Sequence, residues 1–402
     1  MIVLRSAATA VAGAFLVAAM AAGAAPAAAA DIKIALLAGT SGPLEAYAKQ
    51  TETGFRMGLE FATGGTMTLD GRKIQVVTMD DQSKPDLAKS LLAQAYGDDK
   101  VDLAVGTTFS AAALAMLPVA EEFKKVLVVE PAVADSITGD KWNRYIFRTS
   151  RNSTQDAVAG AVSFGNEEAS VGFLAQDYAF GKDGIAAFKQ ALVDTKSKVK
   201  VVYEEYAPVN TTDFTASAER LFNALKDAPG RRILAIVWAG PNPLGKIAAL
   251  KPERYKIELA PGGNILPAMA AYKDYPGMLG AIYYYYGFPK NPMNDWLVAE
   301  HQKRFNMPPD FFTAGGMAAA SAVVTAIKKA GGTDTEKLIA AMEGMSFDTP
   351  KGQMIFRKED HQALQDMYQF RVKKDWQNQY DMLELVRTIK IDEMPIPIRN
   401  KH

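Results

Sequence analysis

The chain has 402 residues, no cysteine, and 45 Lys and Arg side chains against 45 Asp and Glu. The absence of cysteine excludes disulfides, thiolate metal sites and a lipid anchor on cysteine, and the balanced charge argues against nucleic acid as a partner. A chain of this length exceeds what one hydrophobic core usually fills, so two lobes are expected.

Residues 1–30 are predicted to form a secretory signal peptide. Arg5 supplies the positive charge, VAGAFLVAAMAAGAA is the apolar region, and APAAAA offers small residues for cleavage before Asp31. No later apolar run is long enough to predict a membrane span. An exported chain without a lipid anchor fits the periplasm of a double-membrane bacterium.

The first half of the chain alternates predicted strands and helices. DIKIALLAG is a strand, followed by a helix that opens at Thr40–Pro43 with Thr40 or Ser41 as its cap. RKIQVVTMDDQ is a second strand, and KPDLAKSLLAQAYGDD is a helix. VDLAVG and VLVVEPAV are buried parallel strands that flank an amphipathic helix. This order predicts a doubly wound α/β lobe.

The loop Thr107–Ser110 is the first candidate binding element. It joins the carboxyl end of one of these strands to the amino end of the following helix. Free backbone N–H groups and the helix dipole favour an anionic ligand group there, and ligands of open α/β sheets bind at this edge. The hydroxyls of Thr107, Thr108 and Ser110 could instead only cap the helix, but capping and binding are compatible.

The second half repeats this order and then departs from it. EASVGFLAQD, VKVVYEEYAP, RILAIVWAG and IELAPGGN are predicted strands that alternate with helices. GMLGAIYYYYGFP then predicts a long aromatic strand, followed by the helices NDWLVAEHQKRF, TAGGMAAASAVVTAIKKAG and TDTEKLIAAMEGM. A hairpin with its turn at Asp375–Gln377 closes the chain. These late elements must add to both lobes, which implies several crossings, a hinge and a cleft.

Several residues that could carry chemistry have simpler interpretations. The three histidines, His301, His361 and His402, lack metal-ligand spacing, and His361 is expected in a polar turn. Asp80 and Asp81 are expected to cap and to be solvated, and most of Tyr283–Tyr286 to pack in the core and hinge. Nucleophile-elbow, phosphate-loop and dinucleotide motifs are missing from the sequence, so neither an enzyme nor a cofactor is predicted.

Six stretches together resemble one known family. They are IALLAGTSGPLEAYA, GRKIQVVTMDDQSKPDLA, VGTTFSAAALAMLPVAEE, WNRYIFRTSRNSTQDA, QDYAFGKDG and TTDFTASAERL. In this order the chain resembles the periplasmic solute-binding proteins of ABC uptake systems, in the branched-chain amino acid class. The resemblance implies a monomer that binds a small molecule between two Rossmann-like lobes of the type I periplasmic binding fold and presents it to an inner-membrane permease.

The resemblance also implies where the lobes and the hinge lie. Three crossings are expected near Arg148, Gly287 and Thr349. The first lobe would then comprise residues 31–149 and 287–348, and the second residues 150–286 and 349–402.

The same resemblance implies the ligand-lining positions. A polar end would be held by Ser41, Thr107, Thr108 and Ser110, and a flat body by Tyr47, Phe109 and Phe180. Asn242 and Asn264 would bond the far end. The lining also includes Val133, Ala134 and Gly263, and Arg151 is a possible charged partner for a carboxylate.

Three departures from the amino-acid binders bear on the ligand. Those proteins have a Thr where Ala134 aligns, an acidic residue at about Gly262, and a Tyr where Phe180 aligns. A buried ammonium without an anionic partner costs several kcal/mol. We therefore expect an aromatic carboxylate of the hydroxybenzoate or phenylpropenoate type. A branched-chain amino acid or amide, another small organic acid, and a ligand-sensing receptor of the same fold remain as alternatives.

Overall fold

The computed structural model describes residues 30–164, 167–260 and 262–400. The predicted signal peptide, apart from Ala30, lies outside the described residues. The strands are β1 (Ile32–Ala38), β2 (Thr68–Leu69), β3 (Arg72–Asp80), β4 (Leu103–Val105), β5 (Leu127–Val129), β6 (Ile146–Arg148), β7 (Ala169–Gln176), β8 (Val199–Ala207), β9 (Arg231–Val237), β10 (Ile257–Ala260), β11 (Leu279–Ile282), β12 (Ser346–Thr349), β13 (Gly352–Phe356), β14 (Ala363–Leu364), β15 (Met367–Val372) and β16 (Leu383–Ile389). The α-helices are α1 (Glu45–Ala62), α2 (Pro85–Gly97), α3 (Ser110–Phe123), α4 (Ser153–Ser163), α5 (Ala179–Asp194), α6 (Thr215–Leu225), α7 (Leu244–Ala249), α8 (Leu266–Met269), α9 (Pro292–Phe305), α10 (Phe311–Ala330) and α11 (Thr335–Met342).

The first lobe is built on a six-stranded sheet in the order β2-β3-β1-β4-β5-β6. All its pairings are parallel except that of β2 with β3. Both β4 and β5 are fully buried, as expected for strands covered by helices on both faces. The predicted β-α-β unit around α3 is confirmed.

The second lobe is built on a four-stranded parallel sheet in the order β10-β9-β7-β8. Its strands and helices fall where the sequence predicts them, from β7 through β10. A three-stranded antiparallel sheet, β11-β15-β16, adds to this lobe, and its apolar residues share the second-lobe core. The mixed α/β class and the two-lobe arrangement are therefore confirmed.

Helix α10 packs against α1 through small residues. A Cβ atom on Gly54 would lie 1.9 Å from the carbonyl oxygen of Thr313, and one on Gly316 would lie 2.1 Å from that of Thr51. The two helix backbones therefore touch at these glycines. Helix α10 is apolar and long enough to cross a membrane, but 89% of its most apolar window is buried inside the protein, so it serves here as a core helix.

The chain crosses between the lobes after β6, after β11 and again near the end. Strands β12, β13 and β14 form a small antiparallel sheet, and buried residues of all three belong to the first-lobe core. The next strand, β15, belongs to the second lobe. The lobe bounds implied by the resemblance stay a prediction, and this packing favours a last crossing between Leu364 and Met367 instead of near Thr349.

The structure corrects three local predictions. The aromatic strand ends at Ile282, so Tyr283–Tyr286 lie in an irregular segment. Helix α1 begins at Glu45, and its N-cap residue, Leu44, makes no side-chain cap. The β15–β16 hairpin is confirmed, but its connection spans residues 373–382 and is much longer than the predicted turn.

Burial corrects two further predictions. Asp81 is fully buried and accepts hydrogen bonds from the Thr107 hydroxyl and the Ser83 amide, so it is not solvated. His361 is also buried, with its ring stacked on Phe147 at 3.9 Å. The partners Thr107 and Phe147 come from other parts of the chain, and the local sequence around Asp81 and His361 does not indicate them.

Candidate functional site

A cavity of about 190 Å³ lies between the two lobes. On the first-lobe side it is lined by residues that follow β4 and β5, together with the start of α1. On the second-lobe side it is lined by residues that follow β7, β9 and β10. The carboxyl ends of parallel strands thus face the cavity from both sides, as ligand sites of open α/β sheets do. These lining residues are Leu44, Tyr47, Thr108, Ser110, Pro131, Val133, Tyr178, Phe180, Trp238, Ala239, Gly262, Gly263 and Asn264.

One end of the cavity carries charge. Arg151 and Asp156 both line it, and the Arg151 Nε lies 3.1 Å from an Asp156 carboxylate oxygen. The guanidinium carbon also lies 4.5 Å from the centre of the Tyr283 ring. The Arg151 side chain is 12% exposed. Among the described residues its hydrogen bond goes to Asp156, and Nε is the donor. Its two terminal nitrogens are therefore available to a ligand.

Burial and charge act against each other in this pair. Burial lowers the pKa of Arg151, but the charge and hydrogen bond of Asp156 together with Tyr283 and Glu130 outweigh it, so that the pKa lies above its usual value. Burial raises the pKa of Asp156, and Arg151 offsets part of that rise. The pair gives this end of the cavity one positive and one negative group.

Thr108 supplies an unpaired hydroxyl. The residue is 9% exposed and lines the cavity, and its Oγ1 has no hydrogen-bond partner among the described residues. The nearby Ser110 Oγ accepts a bond of 3.3 Å from the Ala134 amide and retains its own proton to donate. A buried hydroxyl without a partner is unfavourable, so a ligand oxygen or nitrogen that bonded Thr108 would remove that cost.

Contacts across the cleft hold the lobes together. The Tyr47 hydroxyl accepts a 2.8 Å bond from the Gly240 amide and donates to Asn264 Oδ1 at 3.1 Å. Burial raises the pKa of Tyr47 to about 12. On one side of the cleft the Phe109 and Tyr178 rings lie 4.6 Å apart. These contacts close the cleft over the cavity.

Eight of the predicted site residues line the cavity. They are Tyr47, Thr108, Ser110, Val133, Arg151, Phe180, Gly263 and Asn264. Their part in binding stays a prediction, because no ligand contact tests it.

The other five predicted residues do not line the cavity. Ser41 is exposed, and its hydroxyl donates to Asp80 at 2.6 Å. Thr107 donates to the buried Asp81 carboxylate. The ring of Phe109 contacts Tyr178. Ala134 is fully buried and accepts a 2.6 Å bond from Arg148, and Asn242 accepts from the Leu244 amide at the start of α7.

One face of helix α4 lines the cavity and was not predicted from the sequence. Helix α4 and the residue after it present lining residues at helical spacing: Ser153, Asp156, Ala157, Gly160, Ser163 and Phe164. Small residues at these intervals are typical of core packing, so the pattern alone did not indicate a cavity. The sequence feature that could have indicated this face is the position of α4 directly after the first predicted crossing between the lobes.

The acidic residue that the amino-acid binders have at about Gly262 is missing there, but a carboxylate from another position, Asp156, lines the cavity, so the expected lack of an anionic partner is wrong. A tyrosine, Tyr178, also lies two residues before Phe180 and lines the same cavity. Of the four consecutive tyrosines, Tyr283 lines the cavity, whereas Tyr284 donates to Asn294 and Tyr286 to the Tyr380 carbonyl.

Comparison with known proteins agrees with this geometry. A family model described as periplasmic binding protein matches residues 31–377. A solved structure of an ABC-type branched-chain amino acid transporter from Rhodopseudomonas palustris CGA009 is 67% identical, with a TM-score of 0.81, and covers 92% of this chain and 100% of its own. The Leu/Ile/Val-binding protein homolog 6 of Brucella melitensis biotype 1 is 27% identical over 367 residues, which is 87% of this chain and 90% of that protein.

A further solved structure carries a ligand. It is a solute-binding protein of an ABC transporter from Rhodopseudomonas palustris BisB5 in complex with 3,4-dihydroxybenzoic acid. It is 27% identical to this chain, with a TM-score of 0.79, and covers 91% of this chain and 99% of its own. The chain belongs to the periplasmic binding protein family, as a substrate-binding protein of an ABC transporter of the branched-chain amino acid class.

Proposed function

We propose that this protein captures a small aromatic carboxylate in the periplasm and presents it to an inner-membrane ABC permease. In this proposal the mature chain is a monomer released by cleavage of the signal peptide. One observation supports this ligand class: hydrogen-bond donors without a protein acceptor among the described residues lie at one end of the cavity, and aromatic and aliphatic side chains line the rest.

The donors suit a carboxylate. The terminal nitrogens of Arg151 can form charge-assisted bonds to it, which are stronger than bonds between neutral groups. Thr108 and Ser110 can donate to the same group or to a ring hydroxyl. Tyr283 keeps the guanidinium in place from one side through a cation–π contact.

The rest of the cavity suits a ring. Phe180, Trp238 and Phe312 line it, and each aromatic pair contributes about 0.5–1.5 kcal/mol beyond buried area. An apolar cavity of about 150 Å³ holds one benzene molecule, so a volume of about 190 Å³ has room for one ring with a short substituent. The relative from strain BisB5 with bound 3,4-dihydroxybenzoic acid supports the same class.

A branched-chain amino acid is the second candidate, and Asp156 is the observation that favours it. In that case Arg151 would hold the carboxylate and Asp156 the ammonium. The 67% identical relative described as a branched-chain amino acid transporter agrees with this alternative. Against it, the Asp156 carboxylate is already engaged by Arg151, so an ammonium would have to share or displace that bond.

Thermal unfolding of ligand-free mature protein separates the two candidates. The panel would contain 4-hydroxybenzoate, 3-phenylpropenoate, leucine and valine, with benzamide as the uncharged control. A ligand at 100 times its Kd should stabilise the fold by about 2.7 kcal/mol. We expect the aromatic acids to raise Tm and benzamide to leave it unchanged. Stabilisation by leucine or valine without any effect of the aromatic acids would contradict the proposal.

A further inference from the structure

The cavity continues past the cleft into the interior of the second lobe. Its lining runs along α4 from Ser153 to Phe164, a distance of about 16 Å at the rise of an α-helix. Arg151 and Asp156 lie at the first end of this path. The far end is walled by Phe164, Phe173 and Phe188, which we call the aromatic compartment.

The three rings of the aromatic compartment already contact one another. The centre of the Phe188 ring lies 4.9 Å from that of Phe173 and 5.4 Å from that of Phe164. Ala235 of β9 and Gly280 of β11 also line the cavity, and the hydroxyl of Ser163, beside Phe164, donates to the Ala159 carbonyl of its own helix at 2.8 Å. The compartment is therefore apolar, while the donors that suit a carboxylate lie at the opposite end of the cavity.

Gly160 lies between the two ends. It is on the cavity-lining face of α4, and a Cβ atom there would come within 3.2 Å of the Phe188 ring. From Ser153 to Gly160 the helix rises about 10 Å. Any side chain at position 160 would press on the Phe188 ring, which itself lines the compartment, so that the ring would have to move by a few tenths of an ångström.

We infer that the aromatic compartment receives the ring of an aryl acid whose carboxylate is separated from the ring by a spacer of at least two carbon atoms. The inference rests on the proposed function and narrows its ligand class from aromatic acids in general to phenylpropenoate-like acids. The carboxylate bonds Arg151 and Thr108, the spacer runs along α4, and the ring lies beside Gly160 against Phe188. A benzoate anchored at Arg151 is too short to fill the compartment.

Isothermal titration with a length series tests this inference. The series is benzoate, phenylacetate, 3-phenylpropenoate and 4-phenylbutanoate. We expect 3-phenylpropenoate to bind about tenfold more tightly than benzoate, because two further carbon atoms leave water and the ring reaches the compartment. Equal affinity of the two acids would overturn the inference while leaving the proposed function intact. Failure of every aromatic acid to bind would overturn both.

The variant Gly160→Ala tests whether the preference for 3-phenylpropenoate depends on the lining face of α4. Its methyl group should reduce the advantage of 3-phenylpropenoate over benzoate to about twofold while changing benzoate affinity little. Gly245→Ala is the matched control, since it is a helical glycine of the same lobe where a Cβ meets nothing within 4 Å. An equal loss for both acids in Gly160→Ala, with Tm preserved, would contradict the assigned path.

A second variant covers the case in which Gly160→Ala fails to fold. Phe188→Val enlarges the aromatic compartment without adding atoms to the path. It should shift the preference of the protein toward 4-phenylbutanoate relative to 3-phenylpropenoate. An unchanged order of affinities in Phe188→Val would overturn the inference independently of the glycine variant.

Discussion

Glycines on helices serve opposite purposes in the two lobes. In the first lobe, Gly54 and Gly316 are filled by the backbone of the facing helix, where a Cβ would lie 1.9 and 2.1 Å from a carbonyl oxygen. In the second lobe, Gly160 faces the cavity, and the nearest atom to its absent Cβ belongs to the Phe188 ring. The same residue type therefore allows two backbones to touch in the first lobe and allows an aromatic ring to lie against the cavity-lining face of α4 in the second.

The two walls of the cavity differ in the same sense. The first lobe contributes short polar side chains from loops at strand ends, such as Thr108 and Ser110. The second lobe contributes aromatic side chains such as Phe180, the lining face of α4, and the charged pair Arg151 and Asp156. The neutral hydroxyls therefore come from the first lobe, whereas the charged groups and the walls that can accommodate an apolar body of variable length come from the second.

The largest expected effect concerns Asp310, which joins the two lobes. Its carboxylate accepts bonds from the Leu266 amide of the second lobe and from Gln50 and Phe311 of the first. Burial raises its pKa to about 7. Because the folded pKa exceeds the unfolded value near 4, the folded state binds the extra proton between pH 4 and pH 7. Its contribution to stability is thus complete below pH 4 and is lost as pH rises through 7.

Urea unfolding from pH 4 to pH 8 measures this contribution. The free energy of unfolding of the wild type should fall relative to Asp310→Asn by about 4 kcal/mol across that range. Asp295→Asn, an exposed position on α9, is the control and should follow the wild type. Parallel pH profiles for the wild type and Asp310→Asn would show that the carboxylate titrates normally.

The next effect should come from the glycine contact in the first lobe. Gly316→Ala places a methyl group against the Thr51 carbonyl, so α1 and α10 must move apart. We expect a loss of about 3 kcal/mol in unfolding free energy, at the upper end of the range for overpacking. Ligand affinity should change less than stability, because neither residue lines the cavity. A Tm within one degree of the wild type would contradict the close contact.

Arg151 should have the largest effect on affinity. Arg151→Gln removes the charge that faces the ligand carboxylate and should weaken binding of an aromatic acid about 100-fold, as expected for loss of a charge-assisted hydrogen bond. Arg144→Gln is the matched control, since Arg144 pairs with Glu336 at the surface with N–O distances of 2.7 and 2.8 Å. Titration calorimetry at constant pH compares the two. If Arg151→Gln bound the aromatic acid as tightly as Arg144→Gln does, Arg151 would not contact the ligand carboxylate.

The framework of both lobes could be predicted from sequence because it depends on local patterns. Buried strands and amphipathic helices give β4, α3 and β5 their positions without reference to the rest of the chain. The three departures from the amino-acid binders led to the hypothesis of a ligand other than leucine, which stays a proposal, although Asp156 and Tyr178 supply a carboxylate and a tyrosine to the cavity from other positions. The pattern could not give the end of the aromatic strand at Ile282. Beyond it Tyr283 donates to the Phe311 carbonyl and Tyr284 to Asn294, whereas Tyr285 and Tyr286 share the Tyr380 carbonyl.

Which side chains line the cavity depends on tertiary contacts and could not be predicted from local patterns. Asp156 lies on α4 among small residues whose spacing is that of any packed helix, so its position in the cavity could not be predicted from its own segment. Asp81 and His361 were expected near water and are buried, because Thr107 and Phe147 reach them from other parts of the chain. Side-chain direction in loops was the least predictable feature.

Thr107 and Thr108 give the smallest and most specific prediction. Thr107 donates to the buried Asp81 carboxylate, whereas the Thr108 hydroxyl lines the cavity without a partner among the described residues. Thr108→Val should therefore weaken an aromatic acid about fivefold at unchanged Tm, since one neutral hydrogen bond to the ligand is lost. Thr107→Val should lower the free energy of unfolding by about 1–3 kcal/mol, because Asp81 loses a buried donor, with affinity nearly unchanged. Titration calorimetry measures the affinity and thermal unfolding the stability of both variants. A larger loss of affinity in Thr107→Val than in Thr108→Val would show that Thr107, and not Thr108, bonds the ligand.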